Sequence, residues 1–163
     1  MKPYYEVQRF TQWWVWILLL VVFFTTIIPI ITLITENGFD TSYSWAIIFP
    51  AATTGLVVLL FYLLKLETTI DAKGIHYRFF PFPKKMIPWQ EIESCYVRTY
   101  SPLTEFGGWG IRFGLGGRAY NVKGNKGIQV VTKSGKKILF GTQNETEVQN
   151  VIDAYKPRSV AKA

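Results

Sequence analysis

The chain has 163 residues, 49% hydrophobic and 17% aromatic, with 18 Lys+Arg against 11 Asp+Glu and a net charge of +7. That length admits a membrane segment plus one small domain, and the lone cysteine, Cys95, excludes an intrachain disulfide and any need for an oxidising compartment. From Lys65 onward there are 16 basic and 8 acidic residues, so the excess lies in the second part, where it suits anionic lipid, nucleic acid, an acidic protein or simply a solvated face.

Residues 1–10 read as a short cytoplasmic segment. Two uncharged stretches follow, 25 residues over 11–35 and 24 over 41–64, separated by Glu36-Asn37-Gly38-Phe39-Asp40. At about 1.5 Å per helical residue each reaches roughly 36 Å, enough for a hydrocarbon core of about 30 Å. The sequence therefore predicts a transmembrane hairpin over 11–65, with spans at about 12–35 and 42–64. A cleaved signal peptide fits poorly, because its apolar region would run about 7–15 residues.

Lys2 and Arg9 precede the first span and Lys65 follows the second, whereas the connection carries only Glu36 and Asp40, so both termini are expected in the cytoplasm, at the inner membrane. Trp13, Trp14, Trp16, Phe61 and Tyr62 mark the inner interface; Tyr43 and Trp45 mark the outer one. Pro29 and Pro50 each remove a backbone donor, and the Thr25 or Thr26 hydroxyl is expected near the carbonyl that Pro29 frees. Ala51 and Gly55 offer small residues four apart for close helix packing. Neither span contains an ionisable side chain, so a proton or ion path lacks its usual groups and the hairpin reads as an anchor.

From Leu66 the pattern becomes short apolar runs divided by Gly, Pro and Lys-rich turns. Candidate strands are 66–70, 75–80, 86–88, 93–100, 110–115, 119–122, 128–133 and 137–140. Asp71-Ala72-Lys73-Gly74 and Ser134-Gly135-Lys136 read as turns. Thr142 or Asn144 can cap a final helix in which Val148, Val151, Ile152 and Tyr155 recur at helical spacing until Pro157. The expected soluble domain is 66–156, with a disordered tail at 157–163.

About seven antiparallel strands and a closing C-terminal helix resemble the pleckstrin-homology-like (PH-like) split barrel. Gly74-Ile75-His76-Tyr77, Ile87-Pro88-Trp89-Gln90-Glu91-Ile92 and Gly135-Lys136-Lys137-Ile138-Leu139-Phe140-Gly141-Thr142 are similar to segments of membrane-anchored bacterial PH-like proteins, in which paired helices also precede the domain. The resemblance implies a binding or assembly module without catalytic residues. The chain departs from phosphoinositide-binding members, whose first two strands are joined by a long basic loop; here that loop has one lysine, Lys73, so inositol-phosphate recognition is not implied.

Strand parity returns Phe80-Pro81-Phe82-Pro83-Lys84-Lys85 to the inner leaflet if the second span runs directly into the first strand. The segment 101–109 and the turn at 123–126 follow two and four crossings later. Phe82 would enter the interface while Lys84, Lys85, Lys123 and Lys126 attract anionic lipid, at about 1 kcal/mol per cation. Ordinary Lys-rich turns are the alternative. Residues 107–127 contain eight glycines, but no GKS/T follows and no helix begins there, so the nucleotide fingerprints fail. Bulges and tight turns, or a partner-binding edge using Phe106 and Trp109, remain. Arg112 and Arg118 extend that candidate partner surface, with Arg98 as a third cation unless the three are merely solvated.

Catalysis has little to work with. His76 is the sole histidine and reads as structural, Cys95 as a buried thiol, and Glu91 as a turn residue rather than a general acid. Zinc would need about four grouped ligands. The expectation is a non-enzyme with no cofactor, metal, nucleic acid or small-molecule substrate, contacting membrane lipid and a protein partner or a second copy. The alternative is an accessory subunit whose hairpin docks on a larger membrane enzyme or transporter.

Overall fold

The computed structural model describes residues 2–38, 44–114 and 116–155; Tyr43, the strand end at Leu115 and the expected tail 157–163 lie outside the described residues. The chain forms two units, Phe10–Leu63 and a second made of Met1–Arg9 with Leu64–Ala163.

In the first unit, continuous apolar sequence forms α1 (Trp13–Asn37) and α2 (Ser44–Leu63), both long and apolar enough to cross a membrane. Only 6% of each apolar window is buried, so these are not the core helices of a soluble fold. The expected close approach at Ala51 and Gly55 is not what joins them. Both residues are exposed, and a Cβ on Gly55 would meet nothing within 4 Å. Instead Thr54, the buried residue of α2, places its hydroxyl 3.3 Å from that of Thr26. The Thr25 and Thr26 hydroxyls donate to the Val22 carbonyl, at 3.0 and 2.7 Å, rather than to the carbonyl one turn before Pro29. A hydroxyl on a helix reaches back to its own preceding turn, and that geometry decides the partner.

The second unit is mainly β. An antiparallel sheet runs in the order β1 (Tyr4–Arg9), β2 (Lys65–Ile70), β3 (Gly74–Phe80), β4 (Lys85–Pro88). After a 3-10 turn at Trp89–Glu91 come β5 (Ile92–Thr99), α3 (Pro102–Phe106), β6 (Gly110–Gly114), β7 (Gly117–Asn121), β8 (Lys126–Thr132), β9 (Lys137–Gly141) and α4 (Glu145–Tyr155). The second sheet has the order β5-β8-β9-β7-β6, with β7 and β9 parallel. All eight candidate strands are present, but among the described residues the expectation of about seven antiparallel strands is corrected to nine strands in two sheets with one parallel pair, and the sheets do not form a closed barrel. The expected final helix is present, with Val148 and Ile152 fully buried.

The larger correction concerns residues 1–10. Tyr4–Arg9 is not a separate segment but an edge strand, paired residue for residue with β2 from Tyr4↔Ile70 to Arg9↔Lys65. The two apolar helices are therefore an insertion between adjacent strands. Alternation is present in β1, with Tyr4, Glu6 and Gln8 buried, but the inward face is polar and escapes an apolar-periodicity reading.

That polar face is stitched to the start of α4. The Glu6 carboxylate accepts from the Tyr4 hydroxyl at 2.6 Å, Gln8 Nε2 at 3.0 Å, the Thr142 hydroxyl at 2.8 Å and the Gln143 backbone N–H at 2.8 Å. Gln8 Nε2 also donates to the Gly141 carbonyl at 2.7 Å. Burial, then the bond to Glu6, pushes the Tyr4 phenol well above its ordinary range. Glu6→Ala leaves several buried donors without their acceptor, and the expected cost is about 2–3 kcal/mol. Thermal unfolding should show a lowered midpoint; an unchanged one would mean the network contributes nothing.

Candidate functional site

The turn after β3 is where the expected lipid-contact residues gather. Lys65 is the Cα partner of Phe80, so residues 81–84 lie at the end of the first sheet that carries Arg9 and Lys65. Phe82, Lys84 and Lys85 are exposed there. Arg78 supports the turn, donating from Nε to the Phe82 carbonyl at 3.3 Å, and its guanidinium stands 5.1 Å from the Phe80 ring centroid. Lys65 Nζ is 5.9 Å from the same ring and 2.7 Å from the Glu67 carboxylate.

Lys123 lies in the turn before β8 and Lys126 is the first residue of that strand, on the other sheet. Lys126 Nζ is 2.8 Å from Glu145, and the Lys123 carbonyl accepts from Gln143 Nε2 at 3.1 Å. This turn braces the entry to α4. The five residues expected as one lipid-contacting group thus divide into an exposed set, Phe82, Lys84 and Lys85, and a pair at the start of β8 in which Lys126 already has a counter-charge.

The expected partner surface also divides. Phe106 is corrected to a core residue: 4% exposed, in α3, it packs with Tyr100, Ala119 and Leu139, its ring centroid 5.9 Å from that of Tyr100. The sequence missed α3, whose signals are Ser101 as N-cap, Pro102 behind it and Gly107 in the left-handed region at the C-cap. Gly114 lets α3 approach, because a Cβ there would sit 2.1 Å from the Glu105 carbonyl oxygen. Trp109 is half-buried, its indole N–H 3.3 Å from the Gly124 carbonyl. Arg112 is exposed and donates from Nε to the Trp109 carbonyl at 2.9 Å.

Arg98 is no free cation either. Its guanidinium meets Glu105 at 2.7 and 3.3 Å, in a two-pronged pair, and Gln129 Oε1 at 3.0 Å. The Arg98 bond, with help from the Ser101 N–H, holds the Glu105 carboxyl below its ordinary range. His76 Nε2 lies 3.0 Å from Asp71, within the turn that the sequence reading placed there. Burial alone would raise the Asp71 carboxyl, but N–H donation from Lys73 and Gly74, with His76 nearby, holds it below its usual value. Cys95 is buried, and among the described residues no three His, Cys, Asp or Glu side chains group as metal ligands.

Arg118 leads to a feature the sequence did not disclose. Its guanidinium stacks 4.6 Å from the Phe113 ring centroid, and that ring is 71% exposed. In the sequence Arg112 alternates with Ile111 and Phe113, a pattern that sets Arg112 outward and Phe113 inward on a strand with one covered face. As the outermost strand of its sheet, β6 leaves both side chains outside. Between Phe113 and the β3 turn lies a cavity of about 280 Å³. Tyr77, Phe79 and Tyr120 supply apolar surface, Phe82 and Ile111 add to its walls, and Lys85 and Arg118 are the charged residues of its lining. The Tyr77 ring is 5.0 Å from Tyr120 and 4.6 Å from Phe140. Burial, then Tyr120, pushes the Tyr77 phenol up to about 12, against the pull of Arg118.

A neighbouring cavity of about 440 Å³ shares Phe113 and Arg118 and adds Lys136 and Lys137. Gly117 makes this approach of β7 to β9 feasible: at φ +99° it occupies backbone that L side chains rarely adopt, and a Cβ would lie 2.2 Å from the Lys137 carbonyl oxygen.

No protein-family model and no curated protein matches the chain.

The Arg98–Glu105 pair yields a pH prediction. A carboxyl whose folded pKa is depressed stabilises the fold above its unfolded value, and that contribution is lost as pH falls through the folded value. Arg98→Met should therefore destabilise most above the ordinary Glu105 value of 4.5, and its difference from the parent should narrow as pH falls below it. Denaturant midpoints measured across that range test this; a pH-independent difference would show that charge pairing is not its source.

Proposed function

We propose that the chain is a membrane-anchored, non-catalytic binding module, its hairpin crossing the cytoplasmic membrane and its β unit held with both termini on the cytoplasmic side. The observation that carries this reading is the pairing of β1 with β2 on either side of the apolar insertion. Because Arg9 and Lys65 are Cα partners, the chain leaves and re-enters one sheet at adjacent positions, and such a path takes an even number of bilayer crossings. Two apolar helices supply them. The pairing also argues against a removable leader, since cleavage after α1 would strip β1 from the sheet and bare the edge of β2.

The cytoplasmic side is favoured by charge. Arg9, Lys65, Arg78, Lys84 and Lys85 belong to the sheet end at which the insertion begins and ends, whereas Glu36 and Asp40 are the charges of the connection. A PH-like fold is favoured by the order of elements: the β1–β4 meander, then β5, β8 and β9, then α4, with α3 and the β6–β7 hairpin added after β5. That resemblance makes a bacterial inner-membrane protein the preferred source. Phe82, Lys84 and Lys85 meet anionic headgroups, while the outer edge of β6 with Arg112 serves a protein partner or a second copy.

A second reading, an accessory subunit docking through its hairpin, is favoured by the open small-residue face at Ala51 and Gly55. Exchanging both spans for an unrelated hairpin separates the two, since partner capture survives only if the β unit carries it.

Single introduced thiols test the topology, because Cys95 is buried and silent to a membrane-impermeant maleimide. Glu36→Cys should label on intact cells and Lys73→Cys only after lysis. Labelling of Lys73→Cys on intact cells would reverse the orientation, and release of the protein by alkaline carbonate would remove the anchor.

A further inference from the structure

The paired cavities around Phe113 and Arg118 combine three properties. The first is apolar, with Tyr77, Phe79, Phe82, Ile111 and Phe113 in its lining, and among the described residues no carboxylate lines either cavity. Phe82 and Phe113 remain 53% and 71% exposed around it, so aromatic surface is left uncovered on both sides. The second cavity is cationic. Arg118, Lys136 and Lys137 line it, and none of the described ion pairs, Lys65–Glu67, His76–Asp71, Arg98–Glu105 and Lys126–Glu145, uses them.

An apolar slot continuing into an unneutralised cationic cup is complementary to a molecule with a hydrocarbon part and an anionic end. Its position selects the source. Phe79 and Phe82 flank Phe80, the partner of Lys65, so the slot opens at the sheet end that, on the reading proposed above, faces the bilayer. Tail and phosphate would both be at hand there.

We propose that this groove holds an anionic phospholipid of the surrounding membrane, an acyl chain lying against Tyr77, Phe79 and Phe113 and the phosphate meeting Arg118, with Lys136 and Lys137 beyond it. Arg118 is the hinge of the site. It lines both cavities, its face is occupied by the Phe113 ring, and its planar fork suits a phosphate in two-pronged contact. The Tyr120 hydroxyl, 3.3 Å from Arg118 Nη1, helps hold the guanidinium in place.

The inference rests on the anchored reading, and one experiment separates the two. Full-length protein is placed in nanodiscs of phosphatidylcholine and phosphatidylglycerol with a trace of phosphatidylglycerol bearing a photoactivatable diazirine on its acyl chain. Adducts are then mapped by mass spectrometry. Adducts are expected on peptides containing Phe82, Phe113 or Tyr120, in addition to those on the spans. The yield should fall about fivefold for each cation removed in Arg118→Gln and in Lys136→Gln/Lys137→Gln. The latter changes two exposed side chains, so a folding failure of the Arg118 variant does not remove the test. The same label on phosphatidylcholine should mark the groove peptides several-fold less.

Adducts confined to the spans, equal groove labelling by both lipids, or insensitivity to the lysine substitutions would each overturn the lipid site while leaving the anchor standing. The last two outcomes would leave the groove open to an apolar peptide. Failure of the protein to enter nanodiscs would instead overturn the anchored reading, and the lipid site with it.

Discussion

The pairing of β1 with β2 governs the architecture. Six residues before the first helix and six after the second form one antiparallel ladder, so the first sheet is complete only when chain from both sides of the insertion is present. An edge strand this short contributes little by propensity alone. Its hold comes from ladder bonds and from Glu6, whose carboxylate gathers donors from β1, from Thr142 and from the backbone leading into α4. A buried carboxylate is costly to desolvate, and this one is tolerated because four hydrogen bonds replace its water.

From this constraint the distribution of charge acquires meaning. Pairing aligns Arg9 with Lys65 and Lys65 with Phe80, and the chain then turns through Phe82 and Lys84 before β4. Cations and aromatic rings thereby share one end of a sheet. Three other cations have a carboxylate at hand, Lys65 with Glu67, Arg98 with Glu105 and Lys126 with Glu145. Around the β3 turn and the Arg118 cup, no carboxylate lines the cavities among the described residues.

Much of this was legible in the sequence. Uncharged runs marked both helices, and turns at Asp71–Gly74 and Ser134–Lys136 bracketed strands found within a few residues of where they were expected. The missed features share a cause, since each depends on a partner distant in sequence. β1 has a polar inner face whose partners lie at Thr142 and Gln143, so its own pattern does not report burial. Phe106 looked exposed beside glycines. The close backbone approach comes instead at Gly114, against the Glu105 carbonyl and the Phe106 ring, and Phe106 is in the core. Phe113 alternates as an inward residue should, yet the final position of β6 in the sheet leaves it outside. The parallel contact of β7 with β9 depends on Gly117, whose role is visible only once Lys137 is beside it.

The central claim is that residues before and after the apolar insertion share a ladder in a membrane-held protein. Val7 and Glu67 are Cα partners, and facing residues of an antiparallel pair lie within the roughly 4.4–6.8 Å Cα separation that a disulfide requires. The most direct measurement is oxidative cross-linking of Val7→Cys/Glu67→Cys in native membranes, read as a change in non-reducing mobility. Efficient cross-linking is expected for that pair, and little for Val7→Cys with Glu93→Cys on the other sheet. Absence of the first, or equal yields for both, would contradict the account.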